Sequence, residues 1–265
     1  MVAIIIENIR FFRQTIKLSV NELVKTYKGA ALGPLWAVIK PAFLIFIYWF
    51  TFEFGLKKSG AVSGHPFVLW LLVGNLPWTY ISDAIGSGAS SIRSNKHFVT
   101  KMPFPISTVM TFVNLSNLYV HFFLLLLVII ILLVNGYKID IFWLQLLYYI
   151  PMMFLYFTAL SWITAPLSAI SKDFLNLIKA IITGLFWVSG IIWDPYSMKS
   201  GALQALVLMN PISYFANGYR NIFLYKRWFF QTPFESMAFV VLFIVTMIIG
   251  GIIYGSLKKD IPDVL

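Results

Sequence analysis

SMAFVVLFIVTMIIGGIIYGSL, residues 236–257, carries no charged side chain from end to end. About 20 apolar residues at 1.5 Å of rise each cross the roughly 30 Å hydrocarbon core of a bilayer as a helix. A helix is the default there, because lipid offers the backbone no hydrogen-bond partner. If this stretch is a membrane span, its neighbours are read on the same terms. Five further charge-poor runs precede it: Trp36 to Leu56 (broken only by Lys40 and Glu53), Pro66 to Ser82, Met102 to Tyr137, Ile141 to Ser171, and Phe174 to Trp193 with Lys179 near one end. The third is too long for one straight crossing, so its first part is expected at the interface. The expected fold class is an all-α integral membrane protein with six transmembrane helices.

Composition agrees. Of 265 residues, 60% are hydrophobic and 11% charged, against about 25% charged in soluble domains. The net charge of +10 is expected to sit at a membrane surface, not on nucleic acid. No cysteine is present, which excludes disulfides and thiolate metal sites. The apolar run Val2 to Ile6 is too short for the core of a secretion signal, and Glu7 interrupts it.

Residues 4 to 28 read differently. Ile5, Ile9, Phe12, Ile16, Leu23 and Tyr27 recur at helical spacing, and Arg10, Arg13, Lys17, Asn21, Lys25 and Lys28 occupy the other side. This predicts an amphipathic helix lying in the interface, followed by a sharp turn at KGAALGP, residues 28–34. Residues 1–34 are therefore one unit and 35–265 the six-span domain. Gly201 to Tyr219 is uncharged but holds Asn210-Pro211, Ser213, Asn217 and Gly218. It is expected to form a broken or re-entrant pair of short helices between spans five and six.

Six spans put both termini on one side. Lys and Arg are denser in the N-terminal segment, at Arg93, Lys96 and Lys101, and at Lys258 and Lys259 than on the opposite side. Both termini are thus expected in the cytoplasm.

Catalytic patterns are missing. There is no phosphate-binding G-x-x-x-x-G-K-[ST] loop and no G-x-S-x-G elbow. His65, His97 and His121 are scattered, and no metal site or catalytic residue is expected. Ten acidic residues are spread along the chain without pairing. Aromatic residues offer a different clue. Phe43, Phe46, Phe50 and Phe54 fall on one stripe of the first span. Such a stripe faces lipid, packs in a core, or lines a path for a sugar polymer, whose C–H faces rest on rings while it slides.

Five segments in order carry a family resemblance: YKGAALGPLWAVIKP (27–41), GNLPW (74–78), SIRSNKHFVTKMPFP (91–105), KDFLNLIKAIITGLFWVSGIIW (172–193) and NPISYFANGYR (210–220). Together they resemble the membrane (permease) subunit of type-2 ABC exporters for cell-surface polysaccharides. Lys172-Asp173 departs from the family's usual Arg-Asp; charge is kept but the bidentate fork is lost. The resemblance implies two copies of this chain around a channel, with two separate ABC ATPase subunits beneath. ATP and magnesium would belong to those subunits, and this chain would bind no cofactor itself.

It also implies roles. Residues 4 to 28 would meet the ATPase through Arg13 and Lys17. A coupling helix over 87–101 would dock through Arg93, Lys96, His97, Phe98 and Lys101, with Pro103 and Pro105 ending it. The channel would be lined by Phe43, Phe46, Phe50 and Phe54, with Phe186 and Trp187 of span five. Outer gate helices over 194–230 would include Asn210, Pro211, Tyr214 and Arg220. The cargo would be a lipid-linked glycopolymer. The short chain is most like the wall teichoic acid exporters, and a basic mouth (Lys57, Lys58, Arg220, Lys226, Arg227) would suit a polyanion; O-antigen and capsule are the other cargoes. Rival readings are an exporter of a drug or small lipid, and a membrane-integral transferase acting on lipid-linked sugars.

Overall fold

The chain, described from a computed structural model over residues 2–55, 61–100 and 104–264, is helical nearly throughout. The N-terminal segment forms α1 (Val2–Arg10) and α2 (Phe12–Thr26), joined at Phe11. Next come α3 (Trp36–Phe50), running into a π turn over Thr51–Gly55, and a two-residue hairpin, β1 (Ala61–Val62) and β2 (His65–Pro66). Four helices follow: α4 (Phe67–Ser94), the short α5 (Lys96–Thr100), α6 (Ile106–Val134) and α7 (Leu146–Ile170). After α8 (Lys172–Val188) the chain makes two short helices, α9 (Gly201–Leu208) and α10 (Pro211–Arg220). It then returns in α11 (Pro233–Leu257) and ends in α12 (Ile261–Val264).

Three of these helices are long and apolar enough to cross a membrane: α6, α7 with the 3₁₀ turn before it, and α11. The long run after Met102 becomes one unbroken helix. At 1.5 Å per residue, its 29 residues reach about 43 Å, longer than the hydrocarbon core. Its first turns lie against α1 and α2.

Two expected spans change length. The second, expected to stop at Ser82, is longer: α4 runs through Asp83 to Ser94. Asp83 interrupts an apolar run without interrupting a helix. The small residues beyond it, Ala84, Gly88 and Ala89, are buried and keep the helix packed on its neighbours. The fifth, expected to reach Trp193, ends at Val188, because Gly190 takes a left-handed conformation (φ 62°) and turns the chain.

The core is built around α4, whose residues are mostly buried against α6, α7, α8 and α10. Close approach comes from small residues, as in helix pairs in lipid. A Cβ at Gly88 would stand 2.3 Å from Ser161 Oγ, and one at Gly250 2.8 Å from the Ala159 carbonyl. Polar side chains bridge the helices: Asn114 Nδ2 donates to Ser161 Oγ (3.0 Å), Asn117 Nδ2 to Ser87 Oγ (2.7 Å), and His121 Nε2 pairs with Tyr219 OH (2.7 Å). By contrast, no described residue of α3 or α8 is buried. Both helices present wide apolar faces outward.

The N-terminal helices are three-sided. Ile5, Ile9, Phe12 and Ile16 are exposed, as expected of an interfacial face. Arg13 and Lys17 are exposed beside them. A third side, not anticipated, packs on the bundle: Ile4, Thr15 and Ser19 are buried. Ser19 Oγ meets Tyr119 OH at 2.9 Å, and Ser107 Oγ donates to Glu7 at 2.5 Å.

Candidate functional site

One end of the bundle collects α1, α2, α5 and both chain ends. Ile4, Ile92, Tyr254 and Ile261 share a hydrophobic cluster with Val99 packed on it. The expected coupling helix over 87–101 is not one element. Residues 87–94 are the last two turns of α4, Asn95 breaks the helix, and only Lys96–Thr100 stands apart as α5. The break is pinned from α2. Lys25 Nζ donates to Asn95 Oδ1 (2.8 Å) and pairs with Glu22 (3.2 Å). Lys25 is therefore engaged by its own chain, although its side chain stays exposed.

The basic residues of this end divide into two kinds. The guanidinium of Arg93 donates through Nε to the Ser168 carbonyl and through Nη2 to the Ala169 carbonyl (2.7 Å). It thus closes the C-terminus of α7, where the last carbonyls lack helical donors. Lys96 and His97 are exposed. Phe98 turns inward, with ring centroids 5.7 Å from Phe104 and 5.6 Å from Phe112. Pro105 precedes the first turn of α6, its carbonyl accepting from Thr108 N–H (3.1 Å). Lys101 and Pro103 lie outside the described residues.

Beside this end, α2, α3, α4 and α6 enclose a cavity of about 610 Å³. Lys40, Tyr27, Asp83, Ser87 and Asn117 line it. Lys40 Nζ lies 5.9 Å from the Tyr27 ring. Burial, then the Asp83 charge, pushes the Tyr27 phenol above its ordinary value, so it stays a hydroxyl donor.

The aromatic stripe is continuous and outward. Phe43, Phe46, Phe50 and Phe54 are all exposed, and successive ring centroids stand 6.3, 6.3 and 5.6 Å apart. Trp49 joins it at 5.8 Å from Phe46. On α8, Phe186 packs on Trp78 (5.6 Å) and Trp187 is exposed. No ring pair among the described residues joins the two sets within one chain. The side chain of Glu53 lies outside the described residues.

At the opposite end, the expected broken helix pair is present. Asn210 caps α10 by accepting from Ile212 N–H (2.9 Å) and donates to Ser189 Oγ (2.8 Å), with Pro211 at the first helical position. Tyr214 is buried, stacked on Phe239 at 4.5 Å, and its hydroxyl meets Tyr148 OH at 3.1 Å.

Arg220 departs most from its expected surface place: only 1% of it is exposed. Nη1 donates to the Gly190 carbonyl (2.9 Å) and to Asn217 Oδ1 (3.2 Å), and Nη2 to the Ile191 carbonyl (2.6 Å). The guanidinium carbon lies over the Trp70 ring, 3.4 Å from its centroid. Asn217 in turn donates to Glu235 (3.2 Å), which also accepts from Tyr196 OH. The amide of Asn217 thus stands between a buried cation and a buried carboxylate. Sequence reasoning missed this triad because its members lie 3 and 18 positions apart and only the fold aligns them.

The expected basic mouth is thinner than the sequence implies. Arg220 is in the core because its donors find acceptors there: the Gly190 and Ile191 carbonyls in the turn after α8, the Trp70 carbonyl on α4 and the Asn217 side chain. Lys226 is half-buried and paired with Asp140 at 2.5 Å. Arg227 is exposed, and Lys57 and Lys58 lie outside the described residues.

A helical bundle with outward apolar faces and three helices fit to cross lipid defines a multi-pass membrane protein. Residues 13–224 match the ABC-2 type transporter family, and the chain belongs to it, as the membrane subunit of a transporter and not a catalytic one. It is similar to the O-antigen export system permease protein RfbA of Myxococcus xanthus, 25% identical across 99% of both chains. Two proteins of that same name from Klebsiella pneumoniae are 24% and 23% identical, each over 96% of this chain and 95% of their own length.

Proposed function

We propose that this chain is the membrane half of an ATP-driven exporter of a lipid-linked cell-surface polysaccharide, of the O-antigen class. The observation that carries the reading is end-to-end similarity to three permeases named for O-antigen export. Six helices cross the bilayer: α3 with its π turn, α4, α6, α7, α8 and α11. Both termini and α5 face the cytoplasm of a bacterial inner membrane, and α9 and α10 form a re-entrant gate on the outer side.

Two copies pair through the flank left open by α3 and α8, whose outward faces no other described residue covers. The stripe of Phe43, Phe46, Phe50 and Phe54, with Trp187, then lines the channel. Rings bind sugar C–H faces weakly at many points, so a polymer slides without stalling. Two ATPase subunits dock at the basic end, against Arg13, Lys17, Lys96 and His97. The Lys40 side of the cavity there offers a cation and hydroxyls to the phosphate-bearing lipid end.

Teichoic acid is the less favoured cargo. A polyanion would use a basic mouth, and two of that mouth's expected cations, Arg220 and Lys226, are engaged within the chain. Depleting the protein tests both levels. We expect a lipid-linked glycan to accumulate inside the cell, poor in phosphorus. A phosphorus-rich polymer would move the cargo to teichoic acid. Normal surface glycan with no internal build-up would remove the export reading.

A further inference from the structure

At the far end of the bundle, between the β1–β2 hairpin, the turn after α8 and the π turn that follows α10, lies a second polar cavity of about 520 Å³. That is within the 300–1,000 Å³ range of small-molecule sites. We propose that it is a glycan-binding subsite, which holds one or two sugar units of the polymer as they leave the gate. This rests on the export reading above.

The floor is Asn221, which lines the cavity and is only 5% exposed. Its side-chain amide has no hydrogen-bond partner among the described residues and is not sealed off from the cavity, so its two donors and one acceptor are open to a ligand. The wall is the ring of Tyr225, which cannot swing away because its hydroxyl accepts from Trp70 Nε1 at 2.7 Å. His65 stands 5.8 Å from that ring, and its Nδ1 is occupied by Tyr137 OH at 2.8 Å. No described residue meets its Nε2, which is open to a ligand. Burial and then the Lys226 charge hold the His65 imidazole below its ordinary pKa, so it is neutral at pH 7.

Asp194 spends one carboxylate oxygen on Tyr196 N–H (3.0 Å) and keeps the other. Arg227, exposed and 5.9 Å from the Tyr225 ring, faces the same space. An aromatic wall for C–H groups, ringed by an amide, a carboxylate, a guanidinium and a neutral imidazole, matches the alternating apolar and hydroxyl surface of a pyranose. One acid against one guanidinium gives no strong preference for an ion.

The test uses the whole protein in nanodiscs, with oligosaccharides released by mild acid from the surface polysaccharide of its own cells. Binding is read by intrinsic tryptophan fluorescence. We expect Asn221→Ala and Arg227→Gln each to weaken binding about tenfold with the melting temperature unchanged for Arg227→Gln, whose side chain is on the surface. Wild-type binding by both variants overturns the subsite. So does failure of the wild type to bind while depletion still blocks export, and that outcome leaves the export reading standing. If depletion leaves export intact, the export reading fails separately.

Discussion

At the scale of single residues, the most consequential fact is that Arg220 is a structural cation. It satisfies the Gly190 and Ile191 carbonyls at the turn after α8, and stacks on Trp70. Removing it strands two buried carbonyls, each costing about 1–3 kcal/mol. We expect Arg220→Ala to lower the melting temperature in detergent by roughly 5–10 °C. Arg220→Lys should recover little, since one ammonium cannot reproduce the fork. Gly74 makes the same point from the other side. A Cβ there would stand 2.3 Å from Arg220 Nη2, so Gly74→Ala should destabilise by a similar amount. The double variant should fall short of the sum, because both changes break one contact. Simple additivity in thermal melts would show that Gly74 and Arg220 act separately.

At the scale of elements, the basic segment between α4 and α6 splits by duty. Arg93 closes α7, whereas the side chains of Lys96 and His97 on α5 are exposed and make no hydrogen bond or ion pair among the described residues. Arg93→Ala should therefore cost stability, about 1–3 kcal/mol, seen as a lower melting temperature. Lys96→Glu should leave the melt unchanged and cut co-purification of the partner ATPase several-fold. Equal ATPase recovery from Lys96→Glu and wild type would take α5 out of the docking surface. The hairpin at the other end carries its own pH response. The lowered pKa of His65 means the unfolded chain takes up a proton first as pH falls. Its contribution is present above about 6.5 and is lost as pH drops through that value toward the lower folded one. Hydrogen exchange across residues 61–66 should accelerate from pH 7.5 to 5.5, beyond the change in intrinsic rate. His65→Gln should flatten that dependence. Tyr137, Tyr225 and Lys226 stand beside it, and Asp194, Tyr196 and Arg227 line the same cavity.

At the scale of the whole molecule, the uneven burial of its helices matters most. α4 is wrapped on nearly all sides, while α3 and α8 leave broad apolar faces uncovered. In lipid such faces need not be buried, since hydrocarbon is as apolar as leucine. Their pairing across two copies is therefore a claim to measure. The chain has no cysteine, so Phe46→Cys with Trp187→Cys gives a clean probe. Mild oxidation in native membranes should yield a disulfide-linked dimer on non-reducing gels. Only monomer, with both thiols still reactive to maleimide, would place the stripe against lipid.

What the amino-acid sequence determined by itself was the solvent and the punctuation. Runs such as 236–257 require lipid because they carry no charge to hydrate. Asn210-Pro211 breaks the α9–α10 pair because proline cannot donate within a helix and asparagine caps one. The three-sided character of α1 and α2 was half legible: the exposed apolar and basic stripes follow from spacing, but Thr15 and Ser19 gave no sign of being core. Tertiary structure alone decided where charge goes. Arg93, Arg220, Lys25 and Lys226 look alike in sequence as surface cations, yet each has become an internal fastener. The reason is geometric. A long side chain goes to carbonyls or carboxylates that distant helices bring within about 3 Å, and no local pattern encodes that meeting.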